Sequence, residues 1–377
     1  MKFLFEEEEA GFSLVKIKVV GVGGGGGNAV NNMILHSLKG ADFLVANTDS
    51  QVLHLSHAPY KIQLGEKLTK GRGAGADPQV GRDAALESAD EIRESLAGAE
   101  MVFVAASLGG GTGTGAAPVI ASIAKEMGAL TVGVVTKPFL FEGGMKSNLA
   151  EEGLREMKNG CHSVIVIPNQ RLLNIVEKGT SFKEAFLVAD DILRQAVAGI
   201  TDLIMMPGQI NVDFSDVRAI MSYSGRAVMG MGVSKGENRA VEAAQSAISS
   251  PLLEDSSIEG AKGILVNISG GSDTGLHEVD EAMAVITGKG DSDAKVIWGA
   301  AVGATDLDEI KVTVVATGFQ EENMSNEIGD GRPAKKGTVE DMEKRRMLRN
   351  IPRGAIGKEA YNEEVLDKPT FLRWQAD

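Results

Sequence analysis

The sequence predicts an α/β fold in which a parallel sheet is joined by a long central helix to a smaller α+β domain. Short apolar runs rich in β-branched residues each end in a glycine-rich or polar turn, and helical segments separate them. Residues 182–205 repeat apolar side chains every three or four positions, which predicts one amphipathic helix of about 36 Å. The composition changes near Gly225, where strand patterns return. Strands that alternate with helices lie parallel and bind ligands at their carboxyl edge, so the first domain is predicted to be Rossmann-like.

Composition divides the chain into seven segments. They are an acidic arm (1–13), the parallel-sheet domain (14–181), the central helix (182–206), a polar loop with its following helix (207–224), the α+β domain (225–319), a linker (320–365) and a terminal peptide (366–377). The linker is polar and mixed in charge, with few apolar anchors, so we expect it to be disordered. Its basic run from Lys344 to Arg353 is expected to be solvated.

Charge and hydropathy limit the class of protein. The 377 residues include 38 Lys and Arg against 52 Asp and Glu, a formal charge of −14 that argues against a nucleic-acid binder. The start of the chain is acidic rather than a basic leader, and no apolar stretch approaches the roughly 18 residues of a spanning helix. We therefore expect a cytoplasmic protein without direct membrane insertion. Cys161 is the single cysteine, so we expect no intrachain disulfide and a buried, inert thiol.

The first strand, residues 14–20, runs into five consecutive glycines, Gly23 to Gly27. This turn contains the letters of GxGxxG, and Asp49 lies at the distance of a ribose-binding acid, so a nicotinamide-dependent oxidoreductase is one alternative. Five glycines exceed what a dinucleotide turn requires, and a second phosphate-type loop has no place in that fold. A P-loop nucleotidase is excluded because GxxxxGK[ST] does not occur.

The second glycine-rich loop, residues 107–118, reads SLGGGTGTGAAP and follows a buried strand at 101–106. A helix is predicted to open near Ala116, with Pro118 close to its first turn. Unpaired N–H groups and the positive end of a helix dipole favour an anion such as phosphate, and glycine lets the ligand approach the backbone. The sequence therefore predicts a phosphate-binding turn.

Further strands follow the same pattern, each ending in a polar or glycine turn. They are predicted at 42–49, 130–135 and 163–169 in the first domain, and at 263–268, 295–299 and 309–318 in the second. Another glycine-rich loop, residues 70–78, leads into a helix. His54 and His57 have no supporting Cys, His or carboxylate pattern, so a metal site is not expected there.

The central helix separates two groups of polar residues. Asp190 falls in its first half, whereas Asn211, Asp213 and Asp216 follow its end. A helix of this length can place Asp190 near the phosphate edge and Asp213 at the opposite end of the molecule. On the residues alone, Asp213 and Asp216 fit either a catalytic loop or a turn with an N-cap.

Seven motifs together resemble the FtsZ family of bacterial cell-division GTPases, which are relatives of tubulin. In order, the motifs are GVGGGGGNAV, NTDSQVL, GAGADPQVGR, GGGTGTGAAPVIA, TKPFLFEGG, NVDFSDV and DKPTFLRWQ. They cover roughly residues 16–319 and the terminal peptide. The resemblance implies a GTPase that assembles head to tail into protofilaments and forms the ring at the mid-cell division site.

The resemblance also implies a nucleotide site. The residues that would hold GTP or GDP are Gly24, Gly25, Gly26, Gly27, Asn28, Gly111, Thr112, Gly113, Glu142, Lys146, Asn169 and Asp190. Among them, Asp190 would read guanine, because a carboxylate can accept hydrogen bonds from both N1–H and the 2-amino group. Mg²⁺ is expected to be held mainly through the phosphates, without a protein metal site.

Catalysis and partners are implied by the same resemblance. Asn211, Asp213 and Asp216 would form a loop that enters the next subunit's nucleotide site and positions the attacking water. The peptide from Asp367 to Trp374 would bind membrane-tethering and regulatory division proteins. A polymer that binds GTP with almost no hydrolysis is the remaining alternative, and the intact aspartates argue against it.

Two departures from the family pattern affect the nucleotide site. Lys146 stands where the family usually has Arg, so a bidentate contact becomes a point charge. Ser107 and Leu108 replace the usual Gly-Met ahead of the triple glycine.

Overall fold

A computed structural model describes residues 15–177, 179–205, 210, 212–253, 258–303 and 308–319. The predicted acidic arm, linker and terminal peptide, with Asn211, lie outside the described residues. Within the described ranges, ten strands join in one sheet of order β3-β2-β1-β4-β5-β6-β7-β10-β8-β9. The strands are β1 (Ile17–Val22), β2 (Ala41–Asn47), β3 (Tyr60–Gln63), β4 (Met101–Ser107), β5 (Leu130–Lys137), β6 (Ser163–Pro168), β7 (Gly225–Lys235), β8 (Gly263–Gly270), β9 (Lys295–Val302) and β10 (Glu309–Thr317).

Helices connect and cover these strands. They are α1 (Gly23–Leu35), α2 (Ser50–Leu55), α3 (Glu66–Thr69), α4 (Pro78–Glu87), α5 (Ala89–Leu96), α6 (Gly111–Glu126), α7 (Gly144–Gly160), α8 (Asn169–Leu172), α9 (Phe182–Met205), α10 (Phe214–Met221), α11 (Arg239–Ile248) and α12 (Leu276–Thr287), with 3₁₀ turns at Leu140–Glu142 and Pro251–Leu253. None of these helices has the length and apolar character needed to cross a membrane.

The first six strands are parallel and confirm the predicted α/β fold. β1 pairs with β2 on one side and β4 on the other, while β5 and β6 extend the sheet beyond β4. The strand order therefore reverses between β1 and β4, which makes this position the topological switch point of the sheet. Both glycine-rich runs follow these two strands. The sheet topology thus brings together loops that are more than 80 residues apart in the sequence.

Layers of helices bury both faces of the parallel strands. Alternate residues of one strand enter different cores, because successive side chains point to opposite faces. Phe103 of β4 packs in the cluster that contains Met33 of α1 and Leu193 of α9. Its neighbours Val102 and Val104 pack in the other cluster, with α6. Burial on both faces explains why β4 reads as a continuous apolar run.

The central helix α9 spans the 24 residues that the apolar spacing predicts. It packs against α1 and against the sheet, with Leu193 and Ile200 fully buried. At Gly199 it approaches β10 so closely that an added Cβ would lie 2.8 Å from Cγ2 of Thr313. Beyond β6, a short parallel pairing to β7 leads into antiparallel β10 and then β8.

The predicted start of α6 is wrong. The helix begins at Gly111 rather than near Ala116, so Pro118 is its eighth residue and not part of its first turn. Close packing explains the glycines in the first turns of both helices. A Cβ on Gly26 of α1 would lie 2.2 Å from the Ala105 carbonyl oxygen, and one on Gly113 would lie 2.5 Å from that of Ser107. These glycines allow the helix starts to pack directly against the ends of the strands.

Candidate nucleotide site

A cavity of about 280 Å³ opens at the switch point, between the first turns of α1 and α6. Its lining residues are Gly24, Gly25, Ser107, Leu108, Gly109, Gly110, Gly111, Thr112, Gly113, Glu142 and Lys146. A Cβ on Gly23 would lie 2.9 Å from the Gly113 nitrogen, so the two helix starts are in close contact. Two N-termini thus direct unpaired N–H groups and positive dipole ends into one small cavity, which suits a polyphosphate.

The mouth of the cavity carries one ion pair. Lys146 Nζ lies 3.0 Å from Glu142 Oε2, and the other oxygen of Glu142 accepts a hydrogen bond from the Phe139 backbone at 2.9 Å. The Lys146 side chain is half exposed. A phosphate entering the cavity would offer this ammonium group a second anionic partner at short range.

Hydroxyl groups organise the wall of the cavity. The Thr114 hydroxyl accepts a hydrogen bond from the Gly109 backbone at 2.8 Å, and Thr136 donates to Ser107 at 3.0 Å. In the sequence Ser107 stands out only as a departure from the family pattern, yet it lines the cavity. Its position between the end of β4 and the glycine run is the signal that could have identified it.

A group of four phenylalanines lies next to the cavity mouth, and sequence reasoning missed it. Ring contacts with centroid separations of 4.9 to 5.9 Å join these residues in a closed cycle of four, Phe139, Phe141, Phe182 and Phe186. Phe141 and Phe182 are 60% and 68% exposed, and Phe139 stacks on one face of Phe141, so part of the surface of these two rings is available to a planar ligand. The two rings come from the β5–α7 connection and the start of α9, and only the tertiary fold brings them together.

The remaining predicted nucleotide contacts lie outside the lining of the 280 Å³ cavity. Gly26 and Gly27 are buried beneath it in α1, whereas Asn28 is exposed. Asn169 begins α8 and is buried, and its side-chain oxygen has no hydrogen-bond partner among the described residues. Such an atom is expected to be paired when a donor is bound. Burial raises the pKa of Asp190 to about 7.

Asp213 and Asp216 lie at the opposite edge of the parallel strands from the cavity. The helix that carries Asp216, α10, contacts the starts of two of these strands. Arg218 donates to the Glu100 carbonyl oxygen, just before β4, at 3.4 Å, and Ser163, the first residue of β6, donates to the Met221 carbonyl oxygen. The cavity lies at the other end of β4, about 20 Å away at 3.3 Å per residue.

The structure also bears on the N-cap alternative for these aspartates. Asp213 occupies the N-cap position of α10 and is exposed, but its side chain makes no capping hydrogen bond. Asp216 lies in the first turn, with its carboxylate 3.4 Å from Lys295 Nζ. The Asp213 carboxylate therefore does not perform the usual task of an N-cap residue.

Within the described ranges, no group of three or more His, Cys, Asp or Glu residues is placed to hold a metal ion. Cys161 is buried, as expected, and burial raises the pKa of its thiol to about 12. A larger cavity of about 750 Å³ lies beside α9. Its lining, which includes Leu187, Ile192 and Leu252, contains none of the predicted site residues.

Both parts of the fold match known protein families. The Tubulin/FtsZ family GTPase domain matches residues 16–177, and the FtsZ family C-terminal domain matches residues 225–320. An empty FtsZ dimer from M. jannaschii is 45% identical with a TM-score of 0.78, covering 81% of this chain and 89% of that chain.

More distant solved structures share the fold. CetZ2 from Haloferax volcanii, a GTPγS-bound protofilament, is 22% identical with a TM-score of 0.69, covering 81% of this chain and 94% of that chain. CetZ1 from the same organism, a GDP-bound monomer, is 21% identical with a TM-score of 0.70, covering 81% and 95%.

Proposed function

Because this chain belongs to the tubulin/FtsZ family of GTPases, we propose that it hydrolyses GTP at sites shared between successive subunits of a head-to-tail filament. One observation carries this proposal. The phosphate cavity lies at the carboxyl edge of the parallel strands, and Asp213 and Asp216 lie at the amino edge. At about 20 Å, a carboxylate cannot position a water molecule at its own subunit's cavity.

Head-to-tail association of subunits would bring the aspartates and the cavity together. If the amino edge of one subunit sits on the carboxyl edge of the next, the exposed Asp213 reaches the neighbour's γ-phosphate. Such an interface is heterologous and does not close, so it generates filaments rather than rings of fixed size. The FtsZ of M. jannaschii was solved as a dimer, which supports self-association in this family.

The chemistry at the shared site requires mainly positioning. The two helix N-termini and Lys146 would hold the β- and γ-phosphates, and Mg²⁺ held through those phosphates would neutralise developing charge. Asp213 and Asp216 would orient the attacking water from the neighbouring subunit, together with Asn211. Hydrolysis would then depend on assembly, because neither subunit holds a complete site.

We assign guanine recognition to Asp190, which lies on α9 one turn after Phe186 of the phenylalanine group; Phe141 and Phe182 of that group are exposed. A base stacked on these rings would present N1–H and the 2-amino group to the Asp190 carboxyl group, whose pKa is raised by burial. Two donors would favour the ionised form, so guanine binding and ionisation of Asp190 would support each other. The unpaired oxygen of Asn169 offers a further acceptor.

We further propose that the filament forms the division-ring scaffold in the cytoplasm at mid-cell. The peptide from Asp367 to Trp374, outside the described residues, would bind membrane-tethering and regulatory division proteins. Two aromatic residues in this peptide fit partner-groove recognition. A fluorescent fusion should form a mid-cell band, and a variant lacking residues 366–377 should assemble normally in solution but lose that band.

Complementation between two inactive variants tests the shared site. Asp213→Ala keeps an intact cavity, whereas Gly113→Ala keeps an intact loop but crowds the Ser107 carbonyl oxygen. Mixed one to one, random filaments contain about a quarter of interfaces with both halves intact, so turnover should recover to about a quarter of the wild-type value. Turnover of the wild type should also be negligible below a threshold concentration. A mixture no more active than its parts would contradict a shared site.

A further inference from the structure

Thr48 lies behind the phosphate cavity, and no part of the proposed mechanism uses it. It follows β2 directly and is fully buried. Its hydroxyl oxygen lies 2.6 Å from that of Thr112, the second residue of α6, which lines the cavity. These residues are 64 positions apart in the sequence, and the pairing of β2 and β4 with β1 brings their elements together.

A bound phosphate would determine which of the two hydroxyls donates the hydrogen bond between them. Each threonine hydroxyl has one proton, and a phosphate oxygen only accepts. For Thr112 to donate to a phosphate, its oxygen must accept the hydrogen bond that the Thr48 hydroxyl donates. The buried Thr48 hydroxyl then has a partner, and donation from Thr48 polarises the Thr112 O–H bond.

The backbone of Thr48 also contacts a second element, the loop at residues 70–77, which packs on the start of α6. Its carbonyl oxygen accepts hydrogen bonds from the Gly73 backbone at 3.1 Å and from the Thr69 hydroxyl at 3.3 Å. The loop that follows Thr69 has positive φ angles at Lys70, Gly71, Gly73, Gly75 and Ala76. It then packs on the start of α6, where a Cβ on Gly111 would lie 2.8 Å from the Asp77 nitrogen.

We propose that Thr48 is a positioning residue for GTP hydrolysis, which fixes the Thr112 hydroxyl toward the phosphates and ties it to the loop at residues 70–77. This inference rests on the proposed nucleotide site but not on the sharing of that site between subunits. Thr48 acts through Thr112 and does not itself line the cavity.

Three variants separate positioning from a loss of stability. Thr48→Val removes the hydroxyl at constant shape, and Thr48→Ser retains it. Thr131→Val is the matched control, because Thr131 is also fully buried, in β5 near the amino edge, with its hydroxyl donating to the Ala129 carbonyl oxygen at 3.1 Å. Each valine variant removes a buried hydroxyl together with its hydrogen bond, so both should lower the melting temperature.

The measurements are kcat per polymerised subunit, KM for GTP and GDP affinity, with polymer determined by sedimentation. Thr48→Val should lower kcat about tenfold while KM and GDP affinity change less than about threefold, since several backbone N–H groups still hold the phosphates. Thr48→Ser should retain at least half of wild-type kcat, and Thr131→Val should keep wild-type kcat. Equal kcat values in the two valine variants, or a Thr48→Ser variant as slow as Thr48→Val, would overturn the inference.

A double-mutant cycle provides an independent test. If Thr48 acts through Thr112, adding Thr48→Val to a Thr112→Val protein should cause no further loss of kcat. Additive losses would assign Thr48 a separate role and contradict the inference. The two proposals can fail separately. Turnover independent of protein concentration would contradict the shared site, while the ratio of kcat between Thr48→Val and Thr131→Val would still report on Thr48.

Discussion

Replacing Asp190 with Asn should stabilise the nucleotide-free protein at high pH. Burial raises the pKa of Asp190 from its ordinary value of 3.8 to about 7. Between these values the folded protein keeps a proton that the unfolded chain has released, so this group makes the free energy of unfolding fall as pH rises. At 1.36 kcal/mol per pH unit, the gap between 3.8 and about 7 corresponds to at most about 4 kcal/mol above pH 7.

An amide at this position would carry no such cost, because it does not ionise. The Asp190→Asn variant should therefore be more stable than the wild type at pH 8, by up to about 4 kcal/mol, and similar to it at pH 4. The assay is denaturant unfolding of nucleotide-stripped protein at both pH values, with the difference between variant and wild type compared. Equal stability of the two proteins at pH 8 would refute the assigned burial of a carboxylate.

The same substitution should weaken guanine binding, although it should stabilise the nucleotide-free protein. An amide offers one acceptor and directs donors at the base, so GDP affinity should fall about 10- to 100-fold. The wild type should prefer GDP to IDP, which lacks the 2-amino group, and the variant should lose most of that preference. Wild-type GDP affinity should also fall as pH drops below 7. A variant that retains full GDP affinity would show that Asp190 does not read guanine.

Three further predictions concern the cavity and the buried cysteine. Lys146→Met should weaken GDP binding about tenfold in titration, whereas Lys146→Arg should retain or improve it, because Arg can bind phosphate with two donors. Gly113→Ala should cost about 1–3 kcal/mol in denaturant unfolding, because its Cβ would lie 2.5 Å from the Ser107 carbonyl oxygen; Gly110→Ala meets nothing within 4 Å and should cost less. Cys161, whose pKa burial raises to about 12, should resist thiol labelling at pH 8 until denaturant unfolds the chain, and rapid native labelling would contradict its burial.

The elements that carry the site could be predicted because their signals are local. A buried strand reads as an apolar run, and a long helix shows its period over 24 residues, so β4 and α9 follow from the sequence. The family resemblance rested on motifs in order, and the matched domains confirm it. The start of α6 could not be predicted in this way. Glycine disfavours a helix locally. Here the start of α6 packs against neighbouring backbone so closely that glycine is required, and this tertiary packing outweighs the local preference.

The residues of the cavity depend instead on strand order. Phe141 and Phe182 carry no local pattern that marks them as neighbours of a ligand, and Thr48 meets Thr112 only because β2, β1 and β4 lie side by side. The sequence identified the two glycine-rich turns, the long helix and the aspartates that follow it, since each depends on residues a few positions apart. The tertiary structure decided that both turns close one cavity and that Asp213 lies at the opposite edge of the sheet from it. Contacts across a sheet join distant residues, and no local pattern encodes which edge of the sheet they share.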